Sequence, residues 1–160
     1  MRNVCGIAVV DIGKTNIKIV LFSAAGEVLA QRRLPNIFHE GPPYRHLDVE
    51  PALTLCRSAL PELDAILPID VVVPCSHGAT VAAVDADGNL AVPVMDYTED
   101  PPTAIVADYA KIQPGFEEAG SPRLPIALMH GLQLYWQNRL LPEAFSTTKA
   151  IVPWGQYIAY

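Results

Sequence analysis

Apolar and polar positions change their rhythm several times along the chain, and each change marks an element. Ala8-Val9-Val10 and Ile17-Lys18-Ile19-Val20-Leu21-Phe22 are β-rich runs on either side of Asp11-Ile12-Gly13-Lys14-Thr15-Asn16, a pattern that predicts strand, tight turn, strand. Ala24-Ala25-Gly26-Glu27 is a second turn, and Val28 to Leu34 reads as a third strand, which makes a three-stranded meander. Pro35 to His46 has no periodicity and is expected to be a loop. Leu53, Cys56, Leu60, Leu63 and Leu67 then recur at three- and four-residue steps, the mark of one amphipathic helix. Asp48 offers its N-cap, Pro51 falls in its first turn, and Pro61 is expected to kink it or end it early.

Ile69 to Val73 is a continuous apolar run that predicts a buried strand. Thr80 to Val84 and Leu90 to Val94 flank Asp85-Ala86-Asp87-Gly88-Asn89, which predicts a hairpin. The acidic tip lacks the glycine and glutamate spacing of a calcium loop, so a plain turn is the better reading. A short helix is expected over Pro102 to Ala110, a loop over Lys111 to Pro125, and a helix over Ile126 to Leu140. Leu128, Leu132, Tyr135, Trp136 and Arg139 share one broad face of that helix, with the aromatics read as core. Pro142 opens a helical turn, Ala150-Ile151-Val152 is a brief strand, and a capped segment restarts at Pro153-Trp154-Gly155. Alternating strands and helices of this kind define an α/β chain.

Composition narrows the possible partners. A length of 160 residues suits one domain, half hydrophobic and 18% charged, as in a globular protein. A net charge of −6 argues against a general nucleic-acid or anionic-membrane surface. Cys5, Cys56 and Cys75, odd in number and widely spaced, fit reduced thiols and a cytoplasmic location. The first ten residues lack the features of a signal peptide, and no run reaches the roughly 18 apolar residues of a membrane span.

The turn after the first strand carries the candidate chemistry. Gly13 is expected to adopt a backbone conformation closed to other residues and to aim successive N–H groups into one concavity. Lys14, Thr15 and Lys18 add donors and positive charge, and Asp11 is placed to hold a hydrated Mg²⁺ beside a polyphosphate. A P-loop would need a glycine where Ala8 stands and a helix where Ile17 to Phe22 form a strand, so that reading is set aside. A plain glycine hairpin remains the simpler alternative. Ser76 and His77, past the end of the predicted strand at Ile69, are candidates for gripping hydroxyl groups. His39, His46 and His130 show no metal-ligand spacing.

In order along the chain, these segments resemble the FGGY carbohydrate kinases of the actin, chaperone-ATPase and sugar-kinase superfamily. Asp11-Ile12-Gly13-Lys14-Thr15-Asn16 resembles the family's first phosphate motif, and Ser76-His77-Gly78 its first sugar-contacting turn. The hairpin Ala86 to Leu90 leading through Pro93 to Asp96-Tyr97 is the third match. Leu134-Tyr135-Trp136, Pro142-Glu143 and Ala150 to Tyr157 make the fourth. Asn16 and Leu34-Pro35-Asn36 look most like the fuculose and rhamnulose branch, whereas Met95, Asp96 and Tyr97 replace the family's usual tryptophan segment.

The resemblance implies a ribonuclease-H-like fold, a mixed sheet flanked by helices, and ATP- and Mg²⁺-dependent phosphorylation of a small-molecule sugar. It implies phosphate contacts from Asp11, Gly13, Lys14, Thr15, Asn16 and Lys18, with Mg²⁺ on Asp11 through water. Ser76, His77, Gly78, Asp96 and Tyr97 would face the sugar. Family members are roughly three times this length, so the resemblance makes residues 1–160 the first, sugar-side domain and leaves the catalytic base in a second domain. Such a chain is expected to be inactive alone and to dimerise readily. The alternative is a free-standing, non-catalytic half-domain that binds a sugar or a partner protein.

Overall fold

The computed structural model describes residues 6–159; Cys5, the opening residues weighed for a signal peptide, and Tyr160 lie outside the described residues. The chain folds as two compact units interleaved in sequence. One comprises the chain up to Phe38, Asp48–His77 and the segment from Trp154, and the other comprises His39–Leu47 and Gly78–Pro153.

The first unit is built on the meander. β1 (Gly6–Ile12), β2 (Asn16–Ser23) and β3 (Val28–Pro35) pair antiparallel, and the sheet order is β3-β2-β1-β6. The short strands β4 (Phe38–His39) and β5 (His46–Leu47) interrupt the expected loop, at the two ends of the stretch His39–Leu47 that belongs to the other unit. α1 (Glu50–Asp64) follows, and then β6 (Ile69–Ser76), which runs parallel to β1. Strand periodicity sends Ala8, Val10 and Ile12 to one face beside Ile17, Ile19 and Leu21. All six are at most 1% exposed, and α1 contacts all three meander strands. Each of the valine, isoleucine and leucine side chains among them stabilises the fold by roughly 1.5–3 kcal/mol on burial.

Three expectations need correction in this unit. The N-cap of α1 is Val49, without a side-chain cap, because the Asp48 N–H bonds back to the Ile37 carbonyl and starts the helix later. Pro61 lies inside α1 and does not end it before Asp64. The Arg57 carbonyl that loses its N–H partner sits on the exposed side of the helix, where water can replace it. β6 is not buried: it is an edge strand whose Val71, Val72 and Val73 are 40%, 49% and 41% exposed. The apolar run reported hydrophobicity correctly, but no neighbouring strand covers it among the described residues.

In the second unit β7 (Val81–Val84), buried throughout, pairs antiparallel with β8 (Ala150–Pro153). The expected partner at Leu90 makes only one bridge to Val84, since Pro93 cannot extend a ladder. Asp85 accepts the backbone N–H groups of Asp87 and Asn89, which closes the tip as a plain turn and holds its carboxyl below the usual range. α2 (Thr103–Ala110) forms as expected, and a one-turn α3 (Phe116–Ala119) lies inside the expected loop.

The helix expected from Ile126 breaks in two. A 3₁₀ turn (Ile126–Leu128) precedes α4 (His130–Leu140), with Met129 extended between them and Ile126 at φ 51°. On α4 the buried residues are Leu132, Gln133, Trp136 and Gln137. Trp136 joins Tyr44, Met95 and Ala127 in a core cluster, as the aromatic reading anticipated. Gln137 Nε2 donates to the Tyr44 hydroxyl and the Pro93 carbonyl at 3.1 and 3.2 Å, while the Tyr44 hydroxyl itself donates to Pro93 at 2.7 Å. Burial raises the Tyr44 hydroxyl well above its usual pKa. α5 (Pro142–Phe145) leads to β8, and α6 (Trp154–Ala159) returns to the first unit against β6.

Candidate functional site

Parallel pairing of β1 with β6 is what assembles the first unit's candidate residues. The register places Asp11 opposite Cys75 and Ile12 opposite Ser76, so both strands end at one edge of the sheet. The turn 13–15 and the Ser76-His77 pair emerge from that same end. In open α/β sheets the carboxyl ends of parallel strands are where ligands bind.

The turn is tight for a reason other than the one expected. Gly13 does not have a positive φ; a Cβ there would instead lie 3.2 Å from the Asn16 carbonyl oxygen. Its N–H closes the turn by donating to that carbonyl at 2.9 Å, which commits it to the protein. Asn36 clamps the turn from the end of β3. Its Nδ2 donates to the Gly13 carbonyl and its N–H to the Thr15 carbonyl, both at 2.9 Å. Lys14 Nζ lies 5.3 Å from the centre of the Phe38 ring, a cation–π contact that steadies the lysine.

Asp11 and Lys18 are cross-strand partners, 3.5 Å apart and about 40% exposed. An exposed pair of this kind contributes little to stability and can reorganise around an anion. Among the described residues no group of three His, Cys, Asp or Glu could hold a metal. One accessible carboxylate beside lysines fits a hydrated Mg²⁺ shared with phosphate better than an all-protein cage.

His77 shows that the two turns share one electrostatic environment. Its pKa is depressed below 6.5, first by burial and then by the charge of Lys14, against a backbone hydrogen bond that raises it. The imidazole is therefore neutral near pH 7, with one ring nitrogen a donor and the other an acceptor. Ser76 Oγ would lie 3.2 Å from a Cβ at Gly155, so the start of α6 approaches it closely only as glycine. Asn36 and Gly155 were not legible as site residues. Asn36 had a sequence signal as part of the Leu34-Pro35-Asn36 match, while the close approach of Gly155 had none.

The second unit holds the remaining candidates. His130 Nε2 donates to the Gly78 carbonyl at 2.7 Å. Gly78, Tyr109, Gln113, Met129, His130 and Gly131 line a cavity of about 450 Å³. Asp96 is wholly buried; its carboxylate pairs with the Arg45 guanidinium and accepts the Thr98 N–H at 3.0 Å. Its own N–H donates to the Arg45 carbonyl at 2.9 Å, so two segments distant in sequence are tied twice. Tyr97, next in sequence, is partly exposed. Arg45 was not singled out from the sequence, because nothing in the loop around it signals a partner 51 residues away.

The fold is ribonuclease-H-like, a mixed sheet flanked by helices of the kind found in sugar kinases. A carbohydrate kinase from Novosphingobium aromaticivorans superposes with a TM-score of 0.88 at 35% identity, over 98% of this chain and 33% of that one. Xylulose kinase from Rhodospirillum rubrum gives 0.73 at 20% identity, over 96% and 34%. Glycerol kinase from Plasmodium falciparum, with ADP, gives 0.71 at 11% identity, over 97% and 33%. The chain thus spans about a third of the length of these solved kinases. No protein-family model matches it, and no curated protein does. No helix among the described residues is long and apolar enough to cross a membrane.

Proposed function

We propose that this chain is the sugar-side part of an FGGY carbohydrate kinase, serving ATP-dependent phosphorylation of a hydroxyl on a ketose of the deoxy-ketohexose type. The observation that carries the reading is the β1–β6 register, which brings the Asp11–Lys18 turn and the Ser76-His77 turn to one end of the sheet. The likeness to the Novosphingobium kinase over nearly the whole chain supports it.

In this reading Asp11 holds Mg²⁺ through water, and Lys14, Thr15, Asn16 and Lys18 face phosphate, with Gly13 shaping the turn. A bound Mg²⁺ supplies charge neutralisation on the phosphates. Phosphoryl transfer depends mainly on such positioning and electrostatics, for which a clamped turn with two lysines is suited. Ser76, His77 and Gly78 are assigned to the sugar hydroxyls. Asp96, which pairs with Arg45, and Tyr97 are read as sugar contacts on the strength of the family resemblance alone. No residue is assigned as catalytic base, and the chain alone is read as catalytically silent in a cytoplasmic setting.

Thermal stabilisation across a panel of ketoses, with and without Mg-ATP, tests this. A ligand at 100 times its Kd stabilises by about 2.7 kcal/mol. A concentration-dependent rise in Tm with one ketose, without ATP turnover, is the expected result. A flat response to every ketose overturns the sugar assignment in favour of a partner-binding half-domain, and turnover overturns the silence.

A further inference from the structure

Side chains of α4 hold the turn that precedes β7. Gly78 and Ala79 form that turn, outside the strands on either side of it. His130 Nε2 donates to the Gly78 carbonyl at 2.7 Å, and Gln133 Nε2 donates to the Ala79 carbonyl at 2.6 Å. Residues three apart share one face of a helix, so two successive carbonyls of the turn meet two donors from the same face of α4.

The two bonds differ in kind. Gln133 is wholly buried and its amide also donates to the Ala127 carbonyl, so it belongs to the core. His130 is only partly buried, and it holds the residue next to His77. A glycine has the most backbone freedom to lose, and a Cβ at Gly78 would meet no atom within 4 Å. Packing around a side chain therefore does not fix this peptide, whereas the hydrogen bond to its carbonyl does. A carbonyl only accepts, so Nε2 carries the proton, and the neutral and the charged ring both supply it. The start of α4 is itself confined, because Tyr109 lies against Gly131 too closely to admit a Cβ.

We infer that His130 is a positioning residue for the sugar. By holding the Gly78 carbonyl it sets the Gly78 end of the Ser76-His77-Gly78 turn before a sugar arrives, without touching the sugar itself. The inference rests on the assignment of that turn to the sugar hydroxyls made above. Without the bond the glycine samples further conformations, and the apparent dissociation constant rises as the competent fraction falls. One neutral hydrogen bond shifts such an equilibrium by up to about tenfold. Gln133 anchors the following peptide in either case, so the loss of His130 loosens the turn and leaves its root in place.

Titration calorimetry of the intact chain with fuculose, rhamnulose and xylulose tests it, beside backbone ¹⁵N relaxation of the free chain. His130→Ala is expected to weaken binding of the ketose that the wild type takes by about fivefold to tenfold, and to lower the order parameters of Gly78 and Ala79. His130→Gln, whose amide offers a donor at similar reach, is expected to restore both. Should His130→Ala not fold, His130→Phe, which keeps a ring and drops the donor, takes its place. A purely structural role would lower Tm and leave the dissociation constant unmoved. Equal affinity in wild type and His130→Ala overturns the inference, as does a loss that His130→Gln does not restore. A wild type that binds none of the three ketoses overturns the sugar assignment and the inference with it. Lowered order parameters in His130→Ala would then still show that His130 holds the turn, which separates the two failures.

Discussion

Asn36 Nδ2 donates to the carbonyl of Gly13 at 2.9 Å, from 23 residues further along the chain. With the Asn36 N–H on Thr15, the exit of β3 holds both ends of the turn between β1 and β2. A neutral hydrogen bond of this kind contributes about 0.5–1.5 kcal/mol, so Asn36→Ala is expected to lower stability by about that amount in urea unfolding. Asn36→Asp keeps the size but places a carboxylate against a carbonyl oxygen, and is expected to cost at least as much. Equal stability of wild type and both variants would show that the clamp contributes nothing.

The same turn illustrates what was legible in the sequence. The strand-turn-strand that carries Asp11, Gly13 and Lys18 is fixed by local pattern, and the three-stranded meander with α1 follows from local periodicity in the same way. The parallel return of β6 was implied only by fold resemblance, and its exposure was missed because hydrophobicity does not reveal which side of a sheet remains open. Val84 found β8 rather than an extended Leu90 strand, a choice made by contacts about 66 residues apart that no local signal carries. Gln133 and Gln137 read as polar helix positions yet lie in the core, since each amide donates to carbonyls left over by irregular backbone.

His77 makes stability depend on pH. Its folded pKa lies below 6.5 while the unfolded chain titrates near 6.5, so between these values the unfolded state binds more protons. Stability from this group is therefore complete above about pH 6.5 and is lost as pH falls through the folded pKa. His77→Gln is expected to flatten that part of the stability profile. Lys14→Gln removes the secondary cause and is expected to move the His77 resonance in an NMR titration upward, partway to its ordinary value. No movement in Lys14→Gln would mean that the two turns do not sense each other.

Gly131 is bound to its size by Tyr109. A Cβ at 131 would lie 2.2 Å from the Tyr109 hydroxyl oxygen, so Gly131→Ala forces a shift of that ring, whose centroid lies 5.6 Å from that of Tyr135. The moving atom is the far end of a flexible side chain, and the expected cost is about 1–3 kcal/mol. Tyr109→Phe deletes the clashing oxygen but leaves Cζ at 3.2 Å, so adding it to Gly131→Ala is expected to recover part of the loss. A double-mutant cycle in thermal unfolding measures the coupling, and strict additivity of the two substitutions would contradict the contact.

Arg45 and Asp96 differ in how much water can compensate each when the other is removed. Asp96 is 0% exposed, whereas the Arg45 side chain is 28% exposed and also meets Glu40 at 3.0 Å. Arg45→Met leaves a buried carboxylate whose guanidinium partner is gone, and the expected cost is about 3–5 kcal/mol. Asp96→Asn keeps an oxygen for the Thr98 N–H and leaves an arginine that still reaches solvent and Glu40, so the expected cost is nearer 1–3 kcal/mol. The double variant Arg45→Met/Asp96→Asn buries no charge at this point and is expected to be more stable than Arg45→Met alone. Chemical denaturation of the three variants settles the order. If Asp96→Asn proved the more damaging single change, the burial asymmetry would not be what governs this ion pair.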